Sequence, residues 1–171
     1  MDLGAQSVLV PMVETAEQAS DIVAACKYAP QGRRGVGYAL ARASRYNAIS
    51  DYAATANEEV CVIVQVETLT AMNNIPKIAK VKGIDCIFIG PADLSADMGY
   101  LTQPDHPDVL KVIEQGMKDI TAAGVAAGTI AFLEIEQKRF IEQGGTFLGI
   151  TADVVLLQSE LQDKILAAQK L

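Results

Sequence analysis

The sequence predicts an α/β fold in which a parallel sheet is covered by helices. Apolar, β-branched runs recur along the chain, and segments of helical periodicity separate them. Most of the runs lack polar alternation, as strands covered on both faces should. With 171 residues, 50% hydrophobic and 20% charged, the chain suits one globular domain with a substantial core.

The first strand is read in SVLVPMV, residues 7–13. Thr15 and Gln18 then form a capping-box pair before Ala19, Ile22, Val23 and Cys26, which recur at helical spacing. Residues 29–48, APQGRRGVGYALARASRYNA, have weak periodicity and carry Arg33, Arg34, Arg42 and Arg45. They read as a loop with a short strand, either flexible and exposed or lying over a site or a subunit contact. Strands follow in VCVIVQV (60–66) and IDCIFIG (84–90). Their starts are about 24 residues apart, room for one short crossover helix, which makes the two strands neighbours with a shared C-terminal rim. Pro107 suits a first helical turn, and Val109, Ile113, Met117 and Ile120 form a stripe that ends at Gly124, a C-terminal cap. VAAGTI (125–130) and TFLGI (146–150) are the last strands, and Val154, Leu157, Leu161, Ile165 and Ala168 share one face of a closing helix.

Composition excludes several functions. A net charge of −7 and a pI near 4.7 argue against a nucleic-acid surface, which needs clustered Lys and Arg. No apolar run approaches the roughly 18 residues of a membrane span, and MDLGAQSVLVPMV has no basic n-region, so a cytoplasmic protein is expected. Cys26, Cys61 and Cys86 lack metal-ligand spacing and read as buried, reduced thiols. No lysine lies at the C-terminal end of a predicted strand, which disfavours Schiff-base chemistry, and no G-x-S-x-G elbow is present. His106, the single histidine, precedes the helix-starting Pro107 and reads as a turn or cap residue in preference to a base.

Chemistry points instead to two carboxylates. In VIVQVET (62–68) the period of two puts Gln65 and Glu67 on one side, with Glu67 where the strand runs out. Asp93, in IDCIFIGPADLSADMG, holds the matching place after the neighbouring strand. Adjacent strands lie about 4.8 Å apart, so both acids can reach one cation; without it they would repel. Hard oxygen ligands point to Mg²⁺ or Mn²⁺, with water and substrate completing the shell. Each acid also has a plainer reading: Asp93 as a helix N-cap, Glu67 as a solvated strand-end charge. The Gly90-Pro91 turn lets backbone come close to a ligand, the amides of Ala92 and Asp93 could cradle a carboxylate, and Asp97 reads as structural.

GAQSVLVPMV, RRGVGYALARASRYN, VQVET, FIGPADLSADMG and the closing helix together resemble the HpcH/HpaI aldolase family, in particular its 4-hydroxy-2-oxoheptanedioate aldolase branch. The resemblance covers essentially the whole chain. It implies a (β/α)8 TIM barrel, present here as its C-terminal two-thirds in a single domain, 1–171, in which a divalent ion (Mg²⁺ or Mn²⁺, with Co²⁺ also compatible) holds pyruvate. Residue by residue, Glu67 and Asp93 match the family's metal ligands, Gln65 its substrate-binding glutamine, and Ala92 and Asp93 the backbone that holds the pyruvate carboxylate. Asp2 matches an acid that raises the basicity of the catalytic histidine. That histidine and an enolate-stabilising arginine are expected upstream of DLGAQ, where this chain starts, roughly three βα units into a barrel of about 250 residues. The implied activity is cleavage of 4-hydroxy-2-oxo acids to pyruvate and an aldehyde such as succinic semialdehyde, in a homo-oligomer, a hexamer of dimers that exchange their final helix. A CoA-thioester lyase of the malyl- or citryl-CoA type, and an inert fragment or assembly subunit that keeps the metal rim, are the alternatives.

Overall fold

The computed structural model describes residues 1–170. Five strands form one parallel sheet in strict chain order: β1 (Ser7–Val10), β2 (Cys61–Val66), β3 (Cys86–Ile89), β4 (Ala126–Ile130) and β5 (Gly145–Gly149). Parallel neighbours in chain order, each joined through a helical crossover, are the repeating unit of a (β/α)8 barrel. The α/β class and the pairing of the second and third strands are as the sequence predicts. The helices are α1 (Ala16–Cys26), α2 (Tyr52–Glu59), α3 (Leu69–Ile78), α4 (Pro91–Asp97), α5 (Pro107–Ala122), α6 (Glu134–Glu142) and α7 (Asp153–Ala168). No helix among the described residues is long and apolar enough to cross a membrane.

Local chemistry sets the helix starts. The Thr15 hydroxyl accepts from the Gln18 N–H at 3.2 Å while the Gln18 side chain accepts from the Thr15 N–H, completing the expected capping box of α1. At α3 the Thr68 hydroxyl alone acts as the cap, accepting from the Ala71 N–H at 3.1 Å. His106 is the cap of α5: its Nδ1 accepts from the Asp108 N–H at 3.2 Å, and its ring stacks on Tyr100 with centroids 3.7 Å apart.

The core lies between the sheet and its helices. Val62, Val64, Val66, Ile87 and Ile89 meet Ile75 and Ile78 of α3 and the whole predicted stripe of α5, Val109, Ile113, Met117 and Ile120, all fully buried. Burial contributes roughly 1.5–3 kcal/mol for each such side chain. The opposite sheet face carries a smaller cluster of Ile63, Cys86 and Phe88. There Phe88 meets Phe147 edge to face, and a Cβ on Gly128 would come within 2.9 Å of the Phe88 ring. α7 is different, since none of its residues is buried. Leu157, Leu161 and Ile165, placed on one face by their spacing, are 63%, 55% and 57% exposed.

Two elements differ from the sequence reading. The first strand stops at Val10 because Met12 turns to φ 57°, which a strand cannot continue through. Residues 29–48 form no strand; two short 3₁₀ turns, Tyr38–Leu40 and Arg42–Ser44, and a single bridge between Tyr28 and Arg34 replace it. The turn is fixed by the buried Ser44 hydroxyl, which donates to the Ala41 carbonyl at 3.1 Å and accepts from the Asn47 N–H at 2.9 Å.

Candidate active site

Strand parity decides which side chains meet. Val62, Val64 and Val66 face the helices, so Gln65 and, one step beyond β2, Glu67 face the other side of the sheet. The register pairs Gln65 with Phe88 and Val66 with Ile89, and the Gly90 N–H continues the ladder onto the Val66 carbonyl at 3.1 Å. Gly90 is thereby set beside Glu67, and the first turn of α4 carries Asp93 next to both.

Glu67 is no solvated strand-end charge: it is 2% exposed. Its Oε1 accepts from the Met12 N–H at 2.8 Å, and its Oε2 accepts from the Gln65 side-chain amide. Burial pushes the Glu67 carboxyl above the usual carboxylate range, the donors at Met12 and Gln65 pull it back, and the neighbouring Asp93 carboxyl pushes it up again. Asp93 is not a helix cap. Gly90 holds the N-cap position of α4, Pro91 follows at its first turn, and Asp93 is an exposed residue of that turn.

Gly90 also makes room for side chains. A Cβ there would stand 2.4 Å from Glu67 Oε2 and 2.6 Å from Gln65 Nε2, so these two side chains occupy the space it leaves. Neighbouring loops are tied to the same rim. Asp97 Oδ2 accepts from the Leu69 N–H at 2.7 Å, as its structural reading anticipates, and Glu14 Oε1 accepts from the Thr68 hydroxyl at 2.8 Å.

These donors fit a hard divalent cation. Two acids converge where, among the described residues, the hydrogen-bond donors to Glu67 are neutral, so they orient the charge without cancelling it. Among the described residues, no group of three or more His, Cys, Asp or Glu is placed to hold a metal ion. The exposed Ala92 lies beside Asp93 at the start of α4, where free amides face outward.

Asp2 is not brought to this rim. It precedes β1, at the N-terminal end of the sheet, and its Oδ1 accepts from Arg34 Nη2 at 2.6 Å and Nε at 3.2 Å. Arg34 also donates to the Tyr52 hydroxyl at 3.1 Å and lies 4.4 Å from the centre of the Tyr28 ring, with Nη1 and the Tyr28 hydroxyl unpartnered among the described residues. Sequence reasoning missed Met12, hidden inside an apolar strand-like run, and the Arg34–Asp2 pair, which no local signal links; Gly90 was singled out for backbone approach and not for the side chains beside it.

A family model described as HpcH/HpaI aldolase/citrate lyase matches residues 1–159. The hydroxypyruvate/pyruvate aldolase of Agrobacterium fabrum is 50% identical over 162 residues, covering 95% of this chain and 61% of its own length. The 4-hydroxy-2-oxo-heptane-1,7-dioate aldolase of Shigella sonnei is 51% identical over 157 residues, covering 92% and 60%. A solved HpcH/HpaI aldolase/citrate lyase family protein from Burkholderia cenocepacia superposes with a TM-score of 0.90 at 33% identity, covering 98% of this chain and 66% of that one. The chain thus spans about 60% of the length of the curated relatives it matches.

Proposed function

The chain belongs to the HpcH/HpaI aldolase/citrate lyase family, and from that premise we propose that it forms the metal- and pyruvate-holding part of a class II aldolase. The reaction is cleavage of 4-hydroxy-2-oxo acids to pyruvate and an aldehyde such as succinic semialdehyde, or the reverse addition. One observation carries the reading: a buried glutamate, held by neutral donors, stands beside a second acid at the C-terminal rim of a parallel sheet. Two relatives that share half of this chain's residues are named aldolases, which favours this activity over CoA-thioester cleavage.

In this mechanism Glu67 and Asp93 hold Mg²⁺ or Mn²⁺, with Co²⁺ also compatible. An ion held there would supply Lewis-acid chemistry to the pyruvate keto group. The chain's own groups bind and orient. The Gln65 amide points to the same place as Glu67 and positions the substrate, while the Ala92 and Asp93 amides receive its carboxylate. His106 is taken up as the cap of α5, so proton transfer is assigned to the family histidine that the resemblance places ahead of Asp2. Asp2, which the resemblance gives to that histidine, pairs with Arg34 at the other end of the sheet and is assigned no part in the chemistry.

The exposed apolar side of α7 supports a homo-oligomer in which this helix packs on a second copy. The three unpaired cysteines support a reducing, cytoplasmic setting. Calorimetric titration with Mn²⁺ tests the metal site: Glu67→Ala and Asp93→Ala each lose binding, and a variant that binds as tightly as the parent removes that residue from the site. Pyruvate, succinic semialdehyde and Mg²⁺ test the activity; aldol product from the isolated chain excludes the inert-subunit reading.

A further inference from the structure

We propose that Gly90 is a positioning residue for the cation site, and that its absent side chain, not its backbone freedom, is what lets Glu67 and Gln65 stand side by side. This rests on the metal reading above. With φ −91° the backbone at Gly90 is open to any residue, so the turn itself does not require glycine. The requirement comes from space. A Cβ would meet Glu67 Oε2 at 2.4 Å, Gln65 Nε2 at 2.6 Å and Glu67 Cβ at 3.0 Å, all inside van der Waals contact.

Neither party can yield freely. Glu67 is held on its other side, where Oε1 accepts from the Met12 N–H at 2.8 Å. Met12 is itself held in the left-handed region at φ 57°, a conformation that a long side chain adopts only when its surroundings impose it. The Gly90 backbone is fixed in turn, since its N–H donates to the Val66 carbonyl and its carbonyl accepts from the Leu94 N–H, each at 3.1 Å. A methyl at position 90 therefore displaces the Glu67 carboxylate from Asp93 and pushes the Gln65 amide from its place. The strand end is a clamp with the Met12 amide on one side and bare glycine on the other.

The experiment compares the parent with Gly90→Ala, Glu67→Asp, the double variant and Gly116→Ala. Position 116 is a control for crowding elsewhere, because a Cβ there would meet Met72 Cε at 2.3 Å inside the helix-covered core. Mn²⁺ affinity is read by calorimetry, and the Gln65 side-chain amide is followed by ¹H–¹⁵N NMR in metal-free protein. Gly90→Ala should weaken Mn²⁺ binding by about 10–100-fold, the range for supporting residues of a metal site, and shift the Gln65 amide pair. Gly116→Ala should leave both unchanged. Shortening the carboxylate makes room, so Gly90→Ala should cost less in the Glu67→Asp background than in the parent. Equal losses in both backgrounds, or a Gly90→Ala protein with parental Mn²⁺ affinity and unmoved Gln65 resonances, overturn the proposal. If the parent binds no Mn²⁺, the metal reading fails and the Gln65 resonances alone decide the clamp. If Gly90→Ala does not fold, restored folding in the double variant supports the clamp and continued failure overturns it.

Discussion

Asp2 and Glu67 lie at opposite ends of one sheet. The Asp2 side chain is 60% exposed and receives two hydrogen bonds from Arg34, whose side chain is 5% exposed. Glu67 is 2% exposed, accepts from the neutral Met12 and Gln65 donors, and has a second acid beside it. At the N-terminal end, then, a buried cation is balanced by an acid that reaches water. At the C-terminal end a buried acid is oriented by an amide N–H on each oxygen and has no positive partner among the described residues. Hydrogen bonds from neutral groups fix a carboxylate's direction yet cancel little of its charge, so the second end has the electrostatics that the proposed cation site requires. The first has the electrostatics of a closed structural pair.

The largest expected effect separates the two ends directly. At roughly 100 times its dissociation constant, Mn²⁺ should stabilise the parent by about 2.7 kcal/mol in urea unfolding, as any ligand specific to the folded state does. Glu67→Gln should abolish that gain, whereas Asp2→Asn should retain it in full. A gain that survives in Glu67→Gln would move the cation away from this rim and break the contrast.

Removing the charge at the other end should be felt without any metal. Asp2→Asn leaves the Arg34 guanidinium buried, with Nη1 already unpartnered among the described residues. A loss of about 1–2 kcal/mol is expected, below the roughly 3–5 kcal/mol of a fully buried pair because Asp2 is open to water. Urea unfolding at neutral pH measures it. No loss would mean that the Tyr28 ring, 4.4 Å away, and the Tyr52 hydroxyl compensate Arg34 by themselves.

The sheet was far more legible than the clamp, for physical reasons. Strands declare themselves through apolar runs, α1 through Thr15 and Gln18, and α5 through Pro107 and a stripe of fully buried residues; each signal is local in sequence. Period-two parity also placed Gln65 and Glu67 on one side. The short helix α2, from Tyr52 to Glu59, buries Ala56 alone and carries no such stripe. Met12 and Glu67 are joined across 55 positions, and Asp2 and Arg34 across 32. Nothing in either segment encodes its partner, and tertiary packing creates both. Gly90 was visible as a glycine but not for its reason, since its φ is ordinary and only the neighbouring strand reveals which atoms need the space.

The smallest expected effect tests whether Glu67 is strained by its own charge. Burial above all raises its carboxyl above the ordinary value of 4.5, so the ionised form is disfavoured in the folded protein relative to the unfolded chain. Above the raised value, folding must hold that charge, and metal-free Glu67→Gln should be more stable than the parent by on the order of 1 kcal/mol. As pH falls through the raised value the folded parent takes up a proton that the unfolded chain does not yet bind, so the parent gains stability relative to the variant. The advantage of Glu67→Gln should shrink across that window and vanish below 4.5, where both states of the parent are protonated. Asp2→Asn has the opposite sign at neutral pH, because there the fold depends on the charge. Urea midpoints between pH 4 and pH 7, taken in chelator, measure both variants. A Glu67→Gln protein that is less stable than the parent at neutral pH would show that the Met12 and Gln65 donors already satisfy the carboxylate and that this rim is as closed as the other.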